Sequence, residues 1–235
     1  MRRSLVALGA AGILAGCASA SGPPTLQTGP DAEVTADGLY RMDNSLVALA
    51  WMKPDVDLRG YTAIMIDPVT VAYQRDPQGR TRLTGPGDPG GNFALTPTQM
   101  ENLKSYFGEA VTEALSGDGA YRIVDAPGPD VLRITAELID LIVRIPTQTT
   151  SARGGMAVRS YGEITIVLEV RDSQSGEILA RAADRRDPTG NSAGGFVSVQ
   201  QSFVRNDVRR LFAYWAGLLR ERFDQLREVE IEPNQ

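Results

Sequence analysis

Carboxylates, lysines, serines and tyrosines are the side chains of this sequence that could carry acid–base or nucleophilic chemistry. The sequence contains no histidine and a single cysteine, Cys17. Histidine-based triads, imidazole metal sites and imidazole acid–base catalysis are therefore excluded. We predict no catalytic residues, no metal site and no cofactor.

Two acids, Glu137 and Asp140, come closest to a carboxylate pair for general acid–base catalysis, with Arg133 and Arg144 nearby. The two acids are three positions apart, an odd number, so on a regular strand their side chains point to opposite faces. A solvated set of charges is the favoured interpretation. If Asp140 faces the core beside Leu138, it needs a partner or a bulge in the strand.

Two further features could be interpreted as ligand sites. Asp67 ends a predicted strand, where α/β proteins often place binding groups, but an Asp-Pro turn that stops the strand is the favoured explanation. The segment GPGDPGG at 85–91 is rich in glycine like a phosphate loop, yet several residues separate it from the next helix and no Gly-Lys-Ser/Thr follows. We interpret it as a mobile loop that is available for contacts.

The start of the chain has the pattern of an export signal. Arg2 and Arg3 are followed by an uncharged, mostly apolar run over 5–16. This run is shorter than the ~20 residues that a membrane-spanning helix needs, and it suits the apolar region of a cleavable signal peptide. It ends in Leu14-Ala15-Gly16-Cys17, which resembles the lipobox of bacterial lipoproteins. The resemblance implies that residues 1–16 are removed and that Cys17 carries a diacylglyceryl group and a further acyl chain such as palmitate.

Lipid on Cys17 would hold the mature protein at a membrane. Each buried methylene contributes about 0.8 kcal/mol, and two or three chains bind far more firmly than one. Ala18 in place of aspartate favours the outer membrane, by analogy with lipoprotein sorting in Gram-negative bacteria, so we expect the domain to face the periplasm. The absence of any other cysteine fits an oxidising compartment and a fold without disulfides.

Composition divides the rest of the chain. Residues 17–38 are rich in Ser, Gly, Pro, Thr and Ala and are predicted to form a flexible tether. We expect a single domain at 39–228 and a disordered tail at 229–235. The net charge of −5 argues against binding to nucleic acid, which requires a basic surface.

Hydrophobic periodicity predicts the elements of that domain. The predicted strands are Tyr61–Ile66, Tyr121–Val124, Val131–Val143, Tyr161–Arg171 and Glu177–Arg185. Thr96-Pro97-Thr98-Gln99 is a capping box that opens a helix, which Gly117 ends, and a long amphipathic helix runs from Gln201 to Arg227. The order of elements predicts an α+β fold, with a mostly antiparallel sheet of about four to five strands and two helices packed on one face.

The run Trp51–Val71, the capped helix, PGPDVLRITAELIDL and the hairpin at Ser175-Gly176-Glu177 together resemble an uncharacterised proteobacterial lipoprotein family, domain of unknown function 3313. The resemblance covers about residues 40–226. The resemblance implies that the protein is an exported lipoprotein, and it implies no known activity.

These features favour a lipid-anchored envelope protein that acts as a binding or scaffold subunit and is not an enzyme. Its partners would be the membrane, through Cys17, and an envelope protein or peptidoglycan. Phe93 and Phe196, aromatic residues in the polar segments 74–94 and 187–199, are the candidate partner contacts, unless they pack back onto the core.

The alternatives are a carboxylate-based glycan or peptidoglycan hydrolase and a carrier of small hydrophobic ligands, which would need a sizeable apolar pocket. The arginines of the last helix could instead contact anionic head groups, although a solvated, ion-paired face is favoured.

Overall fold

The computed structural model describes residues 24–81, 83–84, 91–145, 157–190, 197–198 and 201–228. Within these segments the chain forms eleven strands, two α-helices and a short 3-10 helix at Gly117–Gly119. The strands are β1 (Thr25–Leu26), β2 (Tyr40–Asp43), β3 (Leu49–Met52), β4 (Ala63–Ile66), β5 (Thr70–Tyr73), β6 (Arg122–Ile123), β7 (Val131–Val143), β8 (Ala157–Val158), β9 (Gly162–Asp172), β10 (Ile178–Arg186) and β11 (Val197–Ser198). The helices are α1 (Pro97–Ser116) and α2 (Gln201–Glu228).

Nine strands form one mixed sheet in the order β1-β2-β3-β10-β9-β7-β4-β6, and β5 lies beside the second half of β7. The neighbours from β1 to β7 are antiparallel, whereas β4 and β5 run parallel to β7, and β6 runs parallel to β4. Strands β8 and β11 form a separate pair. The predicted α+β class is confirmed, but the predicted sheet of four to five antiparallel strands is wrong.

Short strands explain the undercount. Strands β1, β2, β3 and β5, which were not predicted, have two to four residues each, too few to show an alternating pattern. The parallel pairs arise because the chain passes through α1 between β5 and β6, and such a crossover returns the next strand in the same direction. Strand β1 also lies within the predicted tether, and it pairs with β2. The hydrogen-bonded part of the chain therefore begins before residue 39.

Both helices pack against the same face of the sheet, which we call the helix face. Alternate residues of β7 and β9, such as Ile134 and Ile166, are buried there. Phe107 of α1 and Phe212 of α2 meet above them edge to face, with ring centroids 5.5 Å apart. This geometry is favourable for aromatic pairs. The long β9–β10 hairpin and the amphipathic face of α2 are confirmed as predicted.

The start of α1 is also as predicted. The Thr96 hydroxyl accepts a hydrogen bond from the backbone N–H of Gln99, and the Gln99 side chain accepts one from the backbone N–H of Thr96. Pro97 occupies the first helical turn, where its missing N–H costs nothing. Neither helix in the described segments is long and apolar enough to cross a membrane.

The opposite face of the sheet, which we call the open face, is charged. Arg181 of β10 pairs with Glu169 of β9, and Arg185 of β10 pairs with Glu163 of β9. No helix in the described part of the chain packs on this face. The clean separation of an apolar and a charged face is typical of a sheet that is covered on one side.

Candidate binding site

The acids that the sequence singled out do not meet in a cleft. Asp67, directly after β4, accepts hydrogen bonds from Arg133 Nε at 2.8 Å and from the Thr135 hydroxyl at 2.8 Å. The three side chains form a clamp that joins β4 to β7 on the open face. This clamp gives Asp67 a structural role beyond that of a strand-ending turn.

Glu137 and Asp140 lie on β7, but a bulge separates them. The β7–β9 register shifts between Ile139 and Ile142, and Asp140 has φ of 50°, in the left-handed region. The sequence analysis expected that a core-facing Asp140 would need either a partner or a bulge in the strand. The structure places Asp140 at a bulge. The nearby arginines pair elsewhere, Arg133 with Asp67 and Arg144 with Glu163.

Phe93 packs into its own domain. Its side chain is 5% exposed, and its backbone N–H donates to the Val143 carbonyl at 2.8 Å. This placement corresponds to the alternative in which Phe93 secures the loop rather than meeting a partner. Phe196, Cys17 and most of the glycine-rich segment, 85–90, lie outside the described residues.

The arginines of α2 have mixed roles. Arg210 pairs with Asp207 and Arg220 with Asp224, as expected for an ion-paired helix face. Arg209 pairs with Glu109 of α1.

A cavity in the described structure lies between the two helices and the end of β7. Its volume is about 520 Å³, within the range typical of small-molecule sites. We call it the helix–bend cavity. Its walls come from 95–106, 141–145, 161–164 and 204–212, with Pro188 at one side. Its apolar wall residues are Leu95, Leu103, Leu141, Ile142, Val143, Ile145, Ile164, Val204, Val208, Leu211 and Phe212.

The bulge at Asp140 gives the cavity its sheet-side wall. Before it, even-numbered residues of β7 such as Leu138 face the helices; after it, Leu141 and Val143 join the helix-face core. Bulges commonly re-aim side chains in this way. The sequence carries the signal, because the apolar positions of β7 switch from even to odd numbers near residue 140.

A close approach of the β7 and β9 backbones fixes the same sheet-side wall. Gly162 has φ of 145°, and a Cβ at this position would lie 1.8 Å from the Ile142 carbonyl oxygen. Only glycine tolerates this contact. Sequence reasoning did not select Gly162, because an isolated glycine at the start of a strand carries no distinctive pattern.

The polar groups of the cavity are bound to other parts of the protein. Glu163, the one carboxylate among its described wall residues, accepts hydrogen bonds from Arg185 and Arg144. Arg185 first, and then Arg144, hold the pKa of Glu163 below its usual value, against the opposing effect of burial. Burial raises the pKa of Tyr161, and Asp207 raises it further. The cavity is therefore a mostly apolar space, and the one carboxylate among its described wall residues is ionised and paired with Arg185 on the open face.

This arrangement suits binding more than catalysis. A glycosidase needs two acids facing one cleft, one with a raised pKa, and Glu163 has the opposite shift. Among the residues that the structure describes, no group of three acidic side chains is placed to hold a metal ion.

Solved structures with some likeness to this chain come from several bacteria. The PelC dodecamer from Paraburkholderia phytofirmans is 14% identical, with 73% of this chain and 96% of that chain covered and a TM-score of 0.34. Protein XCC0632 from Xanthomonas campestris is 12% identical, covers 77% and 95% of the two chains, and has a TM-score of 0.36. A neuraminyllactose-binding hemagglutinin homolog from Helicobacter pylori is 8% identical, covers 74% and 90%, and has a TM-score of 0.37. These likenesses are remote.

No curated protein matches the sequence. The family model described as "Protein of unknown function (DUF3313)" matches residues 37–219. This stretch runs from just before β2 into α2 and includes α1 and every strand of the main sheet except β1. The chain therefore belongs to the DUF3313 family.

Proposed function

We propose that this protein is a binding subunit of the bacterial envelope. It is held at the periplasmic face of the outer membrane through lipid on Cys17, and its domain takes an apolar group of a ligand or partner into the helix–bend cavity. The observation that carries the binding role is the cavity itself, about 520 Å³ of mostly apolar space between α1, α2 and β7. The anchor is proposed from the lipobox-like sequence at 14–17 alone.

The state of Glu163 favours binding over the alternative hydrolase. A general acid must hold a proton near neutral pH, which requires a raised pKa. Two arginines keep Glu163 ionised and occupied. The carrier hypothesis required a sizeable apolar pocket between sheet and helices, and the helix–bend cavity has that location and character.

A fluorescent apolar dye, N-phenyl-1-naphthylamine, tests the proposal. The dye becomes bright in apolar surroundings, and we expect saturable binding to the domain. Val208→Phe puts a larger side chain into the cavity wall from a half-buried position on α2. It should weaken dye binding at least tenfold while the domain stays folded.

Ala213→Phe is the matched control, because Ala213 is exposed on the same helix and lies outside the cavity wall. This variant should bind the dye as the wild type does. Equal binding by both variants and the wild type would contradict the proposal, as would an absence of saturable binding.

A further inference from the structure

A second, smaller cavity lies at the other end of α2. Its volume is about 120 Å³, close to that of engineered apolar cavities that stay dry and bind benzene. Its wall is almost wholly apolar and includes Trp51, Trp215, Leu218 and Leu226. We call it the tryptophan cavity, since both tryptophans of the chain line it. Leu46, also in its wall, is 53% exposed and gives it an apolar rim.

One cation in this wall has no acceptor among the residues that the structure describes. Arg222 is half-buried on α2, and the structure gives it no hydrogen bond and no ion pair with any described residue. Burial lowers the pKa of Arg222, and Glu221 opposes this effect without forming an ion pair with it. Charged groups removed from water are normally paired. An unpaired, half-buried guanidinium beside an apolar cavity therefore calls for an anionic partner.

The other charges around the tryptophan cavity are accounted for. Arg181 pairs with Glu169 and Asp37 on the open face. Asp184 accepts hydrogen bonds from Arg186 and from Trp215.

Glu221 is exposed, and its Oε1 accepts a hydrogen bond from Gln225 at 3.1 Å. A nearby arginine on α2 gives a direct contrast: Arg220 donates to Asp224 and to the carbonyls of Ala114 and Gly117. Among the charged side chains of the described wall, Arg222 is thus the one to which the structure gives no hydrogen bond and no ion pair.

We propose that the tryptophan cavity is a second ligand site, which binds an amphipathic carboxylate: the apolar end enters the cavity and the carboxylate forms a bidentate pair with Arg222. Guanidinium and carboxylate match in geometry, and the pair gains strength where water is excluded. The site is separate from the helix–bend cavity. The apolar part that enters the cavity is about as large as benzene, such as the end of a medium-chain fatty acid.

Titration with octanoate, 1-octanol and acetate tests this site, with tryptophan fluorescence as the readout because both indoles line the cavity. We expect octanoate to bind about tenfold more tightly than octanol, as one charge-assisted pair predicts. Acetate should bind too weakly to detect. Arg222→Gln should remove the preference for octanoate and leave octanol binding unchanged, and Arg222→Lys should keep part of the preference.

Two variants complete the test. Arg210→Gln makes the same charge change at an exposed site outside the tryptophan cavity and should keep the preference. Ala182→Leu fills the wall and should weaken octanoate and octanol alike. Equal affinity of the wild type for octanoate and octanol would overturn the proposal, and so would a preference that survives in Arg222→Gln. Loss of dye binding by Val208→Phe, with octanoate binding retained, would show that the two sites are independent.

Discussion

The indole Nε1 of Trp215 donates a hydrogen bond of 2.8 Å to Oδ2 of Asp184, and each residue is 5% exposed. Arg186 Nε donates to the same oxygen at 2.7 Å, and the backbone N–H of Ala48 donates to Oδ1 at 3.2 Å. A buried carboxylate is costly unless it is paired and hydrogen-bonded, and here three donors stabilise it. Asp184 thereby joins α2, β10 and the segment before β3.

Removing either member of this pair should destabilise the domain strongly. We expect Trp215→Ala to lower the free energy of unfolding by about 3–5 kcal/mol through the lost aromatic volume. Asp184→Ala should cost a similar ~3–5 kcal/mol, because it leaves a cation and two donors without their buried acceptor. Denaturant titration measures both values. A loss below about 1 kcal/mol for either variant would contradict the packing of α2 described above.

The sequence predicted the helix that carries Trp215 but not its partner. Long elements such as α2, β7 and β9 have enough residues to show their period, so their type and buried faces followed from the sequence. The burial of Asp184 could not be predicted from its neighbours in sequence, because it lies in a strand between Arg181 and Arg185. Its burial depends on the pairing of β10 with its neighbouring strands. The short strands β1, β2, β3 and β5 were missed for a similar reason: long-range pairing makes them strands, and their own sequence does not.

The helix–bend cavity could not be predicted from the sequence either, because its shape depends on a contact between the backbones of β7 and β9. Gly162 tests that contact. Gly162→Ala should prevent cooperative folding or cost at least about 3 kcal/mol, because the new methyl group would overlap the Ile142 carbonyl.

Gly217→Ala is the matched control. Gly217 lies in α2 with no atom within 4 Å of an added Cβ, so this variant should gain up to about 1 kcal/mol from helix propensity. Comparable stability of the two alanine variants would contradict the close approach of β7 and β9.

The ion pairs of Glu163 predict a pH dependence. Arg185 and Arg144 lower the folded-state pKa of Glu163 below 4.5. The stabilisation is therefore present above pH 4.5, where the unfolded chain is also ionised, and it is lost as the pH falls through the lower folded-state pKa. We expect Glu163→Gln to be less stable than the wild type at pH 7, with the difference shrinking steadily below pH 4.5. A difference that grows towards low pH would contradict these pairs.

The proposed anchor makes a prediction about the first residues. Cells that express the full chain should incorporate a clickable fatty-acid analogue into the wild type and into a Ser21→Ala control. Cys17→Ala should incorporate none and should leave the membrane fraction or remain uncleaved. Equal labelling of Cys17→Ala and the wild type would refute lipid attachment at this residue.

Photo-cross-linking tests the central claim, binding of an apolar group in the helix–bend cavity, most directly. The folded domain is irradiated with an alkyl diazirine, and the modified peptides are identified by mass spectrometry. We predict adducts concentrated in 95–106 and 204–212, strongly reduced in Val208→Phe and unchanged in Ala213→Phe. Adducts spread over the open face, or adducts in the cavity peptides that persist in Val208→Phe, would contradict the proposed site.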